Sequence, residues 1–259
     1  MKIVVLVKHV PDATADRGFS DDKTTDRVGV DGILSELDEY AIEEALKVSD
    51  AGEAEVVVLT MGPAQAAEAV RKGLQMGADS GVHVVDDALA GSDAVATSAV
   101  LAAAIGKVGD VDLVLTGMAS TDGSMSVVPA MLAERLGIAH VGFVGELTVS
   151  ESKVTGRRDG DVASETVEAQ LPAVVSVTDQ INEPRYPSFK GIMAAKKKPV
   201  ETWSLADLEI EPANVGLGAA WSVVQEVTKR PPRSQGEVVT DEGEGGRRLA
   251  EFLAAQKFV

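Results

Sequence analysis

The 259-residue chain contains no cysteine, and that absence removes several classes of protein from consideration. Disulfide frameworks, cysteine-ligated zinc, iron–sulfur clusters and thiol nucleophiles all need the missing side chain. Aromatic residues are also scarce, at 3% of the chain. An aromatic side chain placed among charges is therefore an unusual feature of this sequence.

Cations are few as well. The chain has 24 Lys and Arg against 41 Asp and Glu, a net charge of −17. This balance argues against nucleic-acid binding, which needs cations along the phosphates. No apolar run approaches the ~20 residues of a membrane helix, and residues 1–8 lack the apolar length and cleavage site of a signal peptide. We expect a soluble, cytoplasmic protein with no nucleic-acid partner and no direct membrane insertion.

Familiar catalytic motifs are missing too. The sequence has no His-Glu-x-x-His, Gly-x-Ser-x-Gly or P-loop pattern. His9, His83 and His140 are scattered near predicted strand edges, where a structural role is favoured. The acidic pairs at 21–22 and 43–44 are interpreted as solvated faces. We expect no catalytic residue and no metal site.

Short apolar runs that alternate with alanine-rich helical patterns dominate the first two thirds of the chain. Strands that are apolar along nearly their whole length are typical of a parallel sheet buried on both faces. The rhythm predicts a doubly wound, mostly parallel α/β fold of the Rossmann-like, adenine-nucleotide-binding type. Strands are predicted at 3–7, 56–60, 83–85, 111–116 and 173–177, and helices at 35–51 (opened by a capping box), 63–77, 92–105 (stopped by Gly106) and 126–136.

The pattern changes after residue 141. Short antiparallel strands are predicted at 146–149, 153–158 and 166–170, followed by helical signals at 204–208 and 241–258. We predict an α/β nucleotide-binding domain at 1–200 and a C-terminal region with an arm at 201–259. The last helix has two open interpretations, an arm that contacts a partner subunit or a helix folded back on its own sheet.

The loop at 116–126 leads from an apolar strand directly into a helix. Its small residues let backbone N–H groups approach a phosphate, whose charge a helix N-terminus favours. Ligands of open α/β sheets bind outside the carboxyl ends of the strands, so 7–12, 35–38 and 60–63 point to the same crevice. The loop has no cation, so we expect amides and hydroxyls to hold the phosphate. Ordinary turn chemistry explains the same glycines and is the alternative.

A second feature is the basic segment, residues 182–198. Between Arg185 and Lys198 it carries five cations and no acid, and Pro184, Pro187 and Gly191 disfavour regular structure. Phe189 lies among these charges. An apolar residue on a rigid, basic loop indicates a docking site for another protein.

These residues resemble the beta subunits of electron transfer flavoproteins, over nearly the whole chain. The most specific part is 177–186, continuing through 192–193 to 196–197, with supporting blocks at 7–8, 38–45, 61–64 and 73–79. The resemblance implies a heterodimer with an alpha subunit that holds most of the FAD. It implies electron transport, as in fatty acid oxidation, from acyl-CoA and related dehydrogenases to a membrane-associated quinone oxidoreductase, without catalytic residues in this chain.

The resemblance also implies a buried structural AMP and assigns residues to two sites. Some relatives carry a second flavin and a Gly-Asp-Thr-rich loop at 123–125, where this chain has Gly-Ser-Met, which favours AMP. AMP contacts fall on Leu6, Ser35, Glu36, Leu37, Asp38, Met61, Gly117, Met118, Ala119, Ser120, Thr121, Asp122, Gly123, Ser124, Met125, Ser126, Val127 and Val128. Partner docking falls on Arg185, Tyr186, Phe189, Lys190, Ile192 and Met193.

Within the docking set, Phe189 takes the place of the apolar anchor, which is often Leu in the family, and Arg185 and Lys190 are interpreted as charges that steer an acidic partner. Two rival functions stay open. A nucleotide-hydrolysing α/β enzyme needs a carboxylate pair or a lysine near the phosphate, and the loop offers only Asp122. A stand-alone adenine-nucleotide-binding protein does not explain Phe189 among cations.

Overall fold

The computed structural model describes residues 1–52, 54–233, 236 and 238–259. Residues 53, 234, 235 and 237, the last three in the predicted C-terminal region, lie outside the described part. Two compact units follow each other along the chain, Met1–Gln225 and Glu226–Val259.

The secondary structure of the first unit alternates strands and helices, and the described residues of the second unit include one helix. The strands are β1 Lys2–Leu6, β2 His9–Pro11, β3 Gly32–Leu34, β4 Glu55–Met61, β5 Ser80–Val84, β6 Leu113–Gly117, β7 Ala139–Val144, β8 Glu146–Val149, β9 Lys153–Asp159, β10 Ser164–Gln170, β11 Ala173–Val177 and β12 Val200–Trp203. The α-helices are α1 Glu36–Ala51, α2 Ala67–Met76, α3 Ala94–Val108, α4 Val128–Leu136, α5 Phe189–Ala195 and, in the second unit, α6 Gly245–Ala255.

The central feature of the first unit is a seven-stranded sheet in the order β12-β5-β4-β1-β6-β11-β7. Every neighbouring pair in it is parallel, and β8, β9 and β10 form a small antiparallel sheet. The predicted α/β fold is therefore confirmed. The chain runs outward from β1 through β4 to β5 and then returns to β6 on the other side of β1. This reversal makes the carboxyl ends of β1 and β6 the switch point where open α/β sheets bind ligands.

Side chains of the sheet alternate between two apolar layers. Ile3 and Val5 of β1 pack under α1 and α2, whereas Val4 and Leu6 pack under α3 and α4. Because both faces are covered, the strands carry apolar residues at almost every position, the pattern from which they were predicted.

Several boundaries differ from the prediction. Helix α3 continues through Gly106 to Val108 and is followed by Gly109, which adopts φ +69°. A glycine in the left-handed region ends a helix, whereas a glycine with helical backbone only weakens it. Strands β7 and β12 were not predicted, because polar residues and glycine interrupt their apolar runs.

The basic segment is more regular than predicted, since it contains the helix α5. Ser188 caps this helix, with its hydroxyl accepting the Gly191 N–H at 3.0 Å. Pro184 and Pro187 precede the helix, where a missing N–H costs nothing. The expectation of an irregular segment is wrong for 189–195.

No helix in the described residues is long and apolar enough to cross a bilayer.

Candidate nucleotide site and docking surface

The end of β1 and the start of α1 are joined by two backbone contacts. The Lys8 N–H donates to Asp38 Oδ2 at 2.8 Å, and the Ser35 N–H donates to the Lys8 carbonyl at 2.8 Å. The predicted capping box does not form, because Ser35 makes no side-chain cap bond and the Asp38 carboxylate accepts from Lys8, just beyond β1, instead. These contacts fix the N-terminus of α1 beside the switch point.

Gly117, the last residue of β6, completes this junction. A Cβ at this position would lie 2.6 Å from the Leu37 carbonyl oxygen and 2.8 Å from Asp38 Oδ1. Such distances are shorter than van der Waals contact, so the helix start can approach β6 this closely only because residue 117 has no side chain. Three of the predicted cofactor-binding residues thus meet at one point.

Asp38 is buried at this junction, and burial raises its pKa to about 7, partly offset by the Lys8 amide and charge. Between about pH 4 and pH 7, Asp38 therefore keeps its proton in the folded chain but loses it in the unfolded chain, where the carboxyl pKa is near 3.8. The contribution to the free energy of unfolding is greatest below about pH 4 and is lost as the pH rises to about 7.

For Asp38→Asn we expect the wild type to lose stability relative to the variant as the pH rises from 5 to 7. The slope of the difference is at most about 1.4 kcal/mol per pH unit. Thermal unfolding of both proteins across this range measures it, with Asp21→Asn, on an exposed turn, as the control. A difference between wild type and Asp38→Asn that does not change with pH would contradict the assignment.

Asp122 is the centre of a charged cluster in the loop after β6. Its side chain is 2% exposed and pairs with Lys8 Nζ at 2.8 Å and with Arg27 Nη2 at 2.7 Å. Burial by itself would raise the pKa of Asp122, but Lys8, Ser120 and Arg27 lower it well below its usual range. The loop is thus tied to the end of β1 and to the excursion between β2 and β3.

Cations therefore surround a loop that contains none, and the expectation that amides and hydroxyls hold the phosphate stays a prediction. Arg17 also reaches the loop, where its guanidinium donates to the Thr121 carbonyl. Arg17 and Arg27 were missed because they lie about 100 residues away in sequence. The sequence feature that came closest to indicating cations at this loop was Lys8, one residue beyond the end of the first predicted strand.

Two buried hydroxyls at this edge of the sheet have no partner. In the described part of the chain, the buried side-chain atoms without a hydrogen bond are Ser35 Oγ, Thr60 Oγ1 and Asn182 Oδ1. Buried hydroxyls are nearly always bonded, so an unpaired one calls for a ligand or water. Ser35 lies at the start of α1 and Thr60 near the carboxyl end of β4, and both positions suit a polar ligand at the switch point.

The other predicted cofactor residues are distributed around this junction. Leu6 is buried in the core and Met61 is partly buried beside it, while Glu36 is exposed. Ser124 and Ser126 adopt φ 52° and 58°, and such turns orient successive N–H groups toward an anion. The remaining loop positions, with their exposure, are Met118, Ala119, Ser120, Thr121, Val127 and Val128, all half-buried, and Gly123 and Met125, both exposed.

The docking surface, which we define as Tyr186, Phe189, Lys190, Ile192 and Met193, lies on and just before α5. Phe189 is 80% exposed, and Ile192 and Met193 share its helix face at spacings of three and four residues. Tyr186 is 92% exposed, and Lys190 is exposed beside them. A cluster of large apolar side chains next to a cation is typical of a surface that a partner covers.

Arg185 is placed differently from the rest of the predicted docking set. Its guanidinium contacts Glu43 at 2.7 and 3.0 Å and Asp50 at 2.9 Å, and the Glu43 hydrogen bond is the main cause of its raised pKa. Its charge is therefore paired within the chain, and its role as a steering charge stays a prediction. The interpretation of Glu43 and Glu44 as a solvated face is wrong, since both are buried.

The three histidines lie on three different strands. His83 is buried and its Nε2 lies 3.1 Å from the Gly62 carbonyl oxygen. Burial lowers the pKa of His9 and of His140. Within the described residues, no group of three or more His, Asp or Glu side chains is placed to hold a metal.

Comparison with known proteins gives the same family as the residue blocks. The family model for the electron transfer flavoprotein domain matches residues 23–208. The electron transfer flavoprotein subunit beta of Mycobacterium tuberculosis is 47% identical over 263 residues, 99% of each chain. That of Megasphaera elsdenii is 33% identical over the full length of both chains. A caffeyl-CoA reductase–Etf complex subunit of Acetobacterium woodii is 38% identical over 93% of this chain and 92% of its own.

The matched region contains the start of α1, Gly117 and the basic segment. Proteins of this group are electron carriers that work beside an alpha subunit in a flavin-containing complex. This chain belongs to the electron transfer flavoprotein beta subunits.

Proposed function

We propose that this chain holds AMP as a structural nucleotide at the carboxyl edge of β1 and β6, and that it presents the docking surface to flavin-dependent dehydrogenases. The observation that carries the nucleotide assignment is the buried, unpartnered hydroxyl of Ser35 beside the close approach of α1 to Gly117. A polar ligand at this junction would supply the missing hydrogen bond.

The residues present fit an adenine nucleotide with a single phosphate. Ser35 and the backbone around 119–127 supply donors, and the N-terminus of α4 favours the phosphate charge. Lys8 and Arg27 add positive charge that Asp122 balances. Because both oxygens of Asp122 are paired, the rival function of metal-assisted nucleotide hydrolysis has no free carboxylate in this loop.

The docking surface supports the proposed partners. An electron carrier must release each partner to reach the next, which suits a small apolar contact assisted by charge. We assign the donors to acyl-CoA and related dehydrogenases and the acceptor to a quinone oxidoreductase, with the alpha subunit holding the FAD and the complex in the cytoplasm. The flavin supplies the redox chemistry, and this chain positions the nucleotide and the docking surface.

The nucleotide assignment is tested by denaturing the complex purified with its alpha subunit and quantifying what is released. We expect one AMP and one FAD per heterodimer. The loop residues Gly123, Ser124 and Met125, rather than a Gly-Asp-Thr-rich loop, support AMP over a second flavin. Two FAD and no AMP would overturn the assignment, and so would a complex that releases FAD alone.

A further inference from the structure

The basic segment is fixed to α1 upstream of the docking surface. Arg185 donates to Glu43 through its backbone N–H at 3.1 Å and through its guanidinium, and it also reaches Asp50. Asn182 Nδ2 donates to the Tyr40 carbonyl at 3.0 Å and to Glu44 Oε2 at 3.1 Å. The side chain of Glu43 is 9% exposed. The segment thus binds one helix at several points before it reaches Tyr186.

Downstream of the docking surface, Lys198 fixes the segment to the end of α2. Its ammonium donates to the carbonyls of Leu74 at 3.3 Å, Gly77 at 2.8 Å and Ala78. A lysine at this place satisfies carbonyls that the helix leaves without partners and favours the negative end of the helix dipole. Burial lowers the pKa of Lys198, opposed by the Asp79 charge. Lys196 and Lys197 are exposed.

Between these two attachments, α5 rests directly on α2. A Cβ at Gly191 would lie 2.6 Å from the Gln75 carbonyl oxygen, so the helices touch through their backbones at this point. The apolar side chains of Phe189, Ile192 and Met193 are therefore presented by a short helix that is supported underneath and attached at both ends.

We infer that Glu43 and Lys198 are positioning residues, which hold the Phe189-bearing helix in the orientation that a dehydrogenase binds. The inference rests on the proposed docking role of this surface. Binding to a surface that is already ordered avoids the entropic cost of ordering it in the complex. Neither residue belongs to the exposed apolar face, so neither needs to touch the partner.

Positioning and charge steering make opposite predictions for Glu43→Gln. The variant removes a negative charge under a basic surface, so steering toward an acidic partner would make association faster. Loss of the charged pair to Arg185 loosens the segment, so positioning makes association slower. We expect a roughly tenfold decrease in the second-order rate of flavin reduction by a dehydrogenase, the effect of one charge-assisted hydrogen bond.

Lys198→Met and Lys197→Met form a matched pair for the downstream attachment. Both variants lose one positive charge on the same turn, but the Lys198 ammonium donates to Leu74 of α2, whereas Lys197 is exposed. Steering predicts equal decreases that disappear at high salt. Positioning predicts a larger decrease for Lys198→Met that persists at high salt, with Lys198→Arg retaining most of the rate.

All rates are measured on the complex with its alpha subunit, alongside hydrogen exchange of the α5 amides. Positioning is supported if the α5 amides exchange faster in Glu43→Gln and Lys198→Met but not in Lys197→Met. Hydrogen exchange can be measured even for a variant that transfers no electrons. The inference would be overturned if Glu43→Gln were reduced at least as fast as wild type and its α5 amides exchanged no faster than those of wild type. If Phe189→Ala also leaves the rate unaltered, the docking assignment itself fails; if Phe189→Ala is slow, only the positioning role fails.

Discussion

Gly117→Ala is expected to lose its nucleotide, with at least a tenfold weaker affinity for AMP and a lower thermal midpoint. The new methyl group would lie 2.6 Å from the Leu37 carbonyl oxygen, and a backbone oxygen cannot move without moving the start of α1. Overpacking of this kind costs about 1–3 kcal/mol. The same displacement separates Ser35 and Asp38 from the end of β1. Nucleotide released on denaturation of the purified complex, quantified per heterodimer, measures the effect.

Gly106→Ala is the control for this experiment. Gly106 lies in α3 with nothing within 4 Å of an added Cβ, so alanine there is tolerated or slightly stabilising. Both variants make the same chemical change, but only one makes it at the proposed site. Full AMP occupancy in Gly117→Ala, with an unaltered thermal midpoint, would place the nucleotide elsewhere.

Phe189→Ala is expected to slow electron transfer from a dehydrogenase by about ten- to a hundredfold, as loss of a central apolar contact in an interface does. Phe189 is 80% exposed, so the fold does not depend on it. The heterodimer, its flavin content and its thermal midpoint should therefore match wild type. Stopped-flow reduction of the flavin at increasing dehydrogenase concentration separates the two steps. We expect the second-order rate of docking to fall and the limiting rate of electron transfer to stay the same.

Val162→Ala, which shortens an even more exposed apolar side chain in the turn between β9 and β10, controls for general loss of apolar surface. Phe189→Leu keeps a large apolar side chain at this position and should keep a rate within a few-fold of wild type. A Phe189→Ala complex reduced as fast as wild type at every dehydrogenase concentration would remove Phe189 from the docking surface.

The parallel sheet could be predicted because its signal is local. Residues 173–177 are apolar throughout and form β11 with those same bounds, and a strand buried on both faces needs no partner to be detected. Strand β7 lies at the edge of the sheet and is only partly buried, and His140, Gly142 and Phe143 interrupt its apolar run. Its place in the sheet depends on pairing with β11, which the sequence of β7 does not encode by itself.

The site could be predicted only where one stretch of chain forms it. The loop 117–126 was found from its glycines and its position, whereas the partners of Asp122 lie 114 and 95 residues away. The burial of Glu43 could not be predicted either, because two adjacent glutamates on a helix ordinarily face water. Their burial becomes favourable through Arg185 and Asn182, more than 130 residues later, with Lys47 as a local partner of Glu44.

The attachment of the basic segment at both ends sets a condition for protein engineering. A docking segment grafted from a relative with different dehydrogenase preference brings its own Arg and Lys but not the surfaces that receive them. Positions 43 and 50 of α1 and the carbonyl end of α2 then decide whether the graft is ordered. If the proposed docking role holds, partner specificity is transferred by exchanging the segment together with these two receiving surfaces, and chimeras should include all three parts.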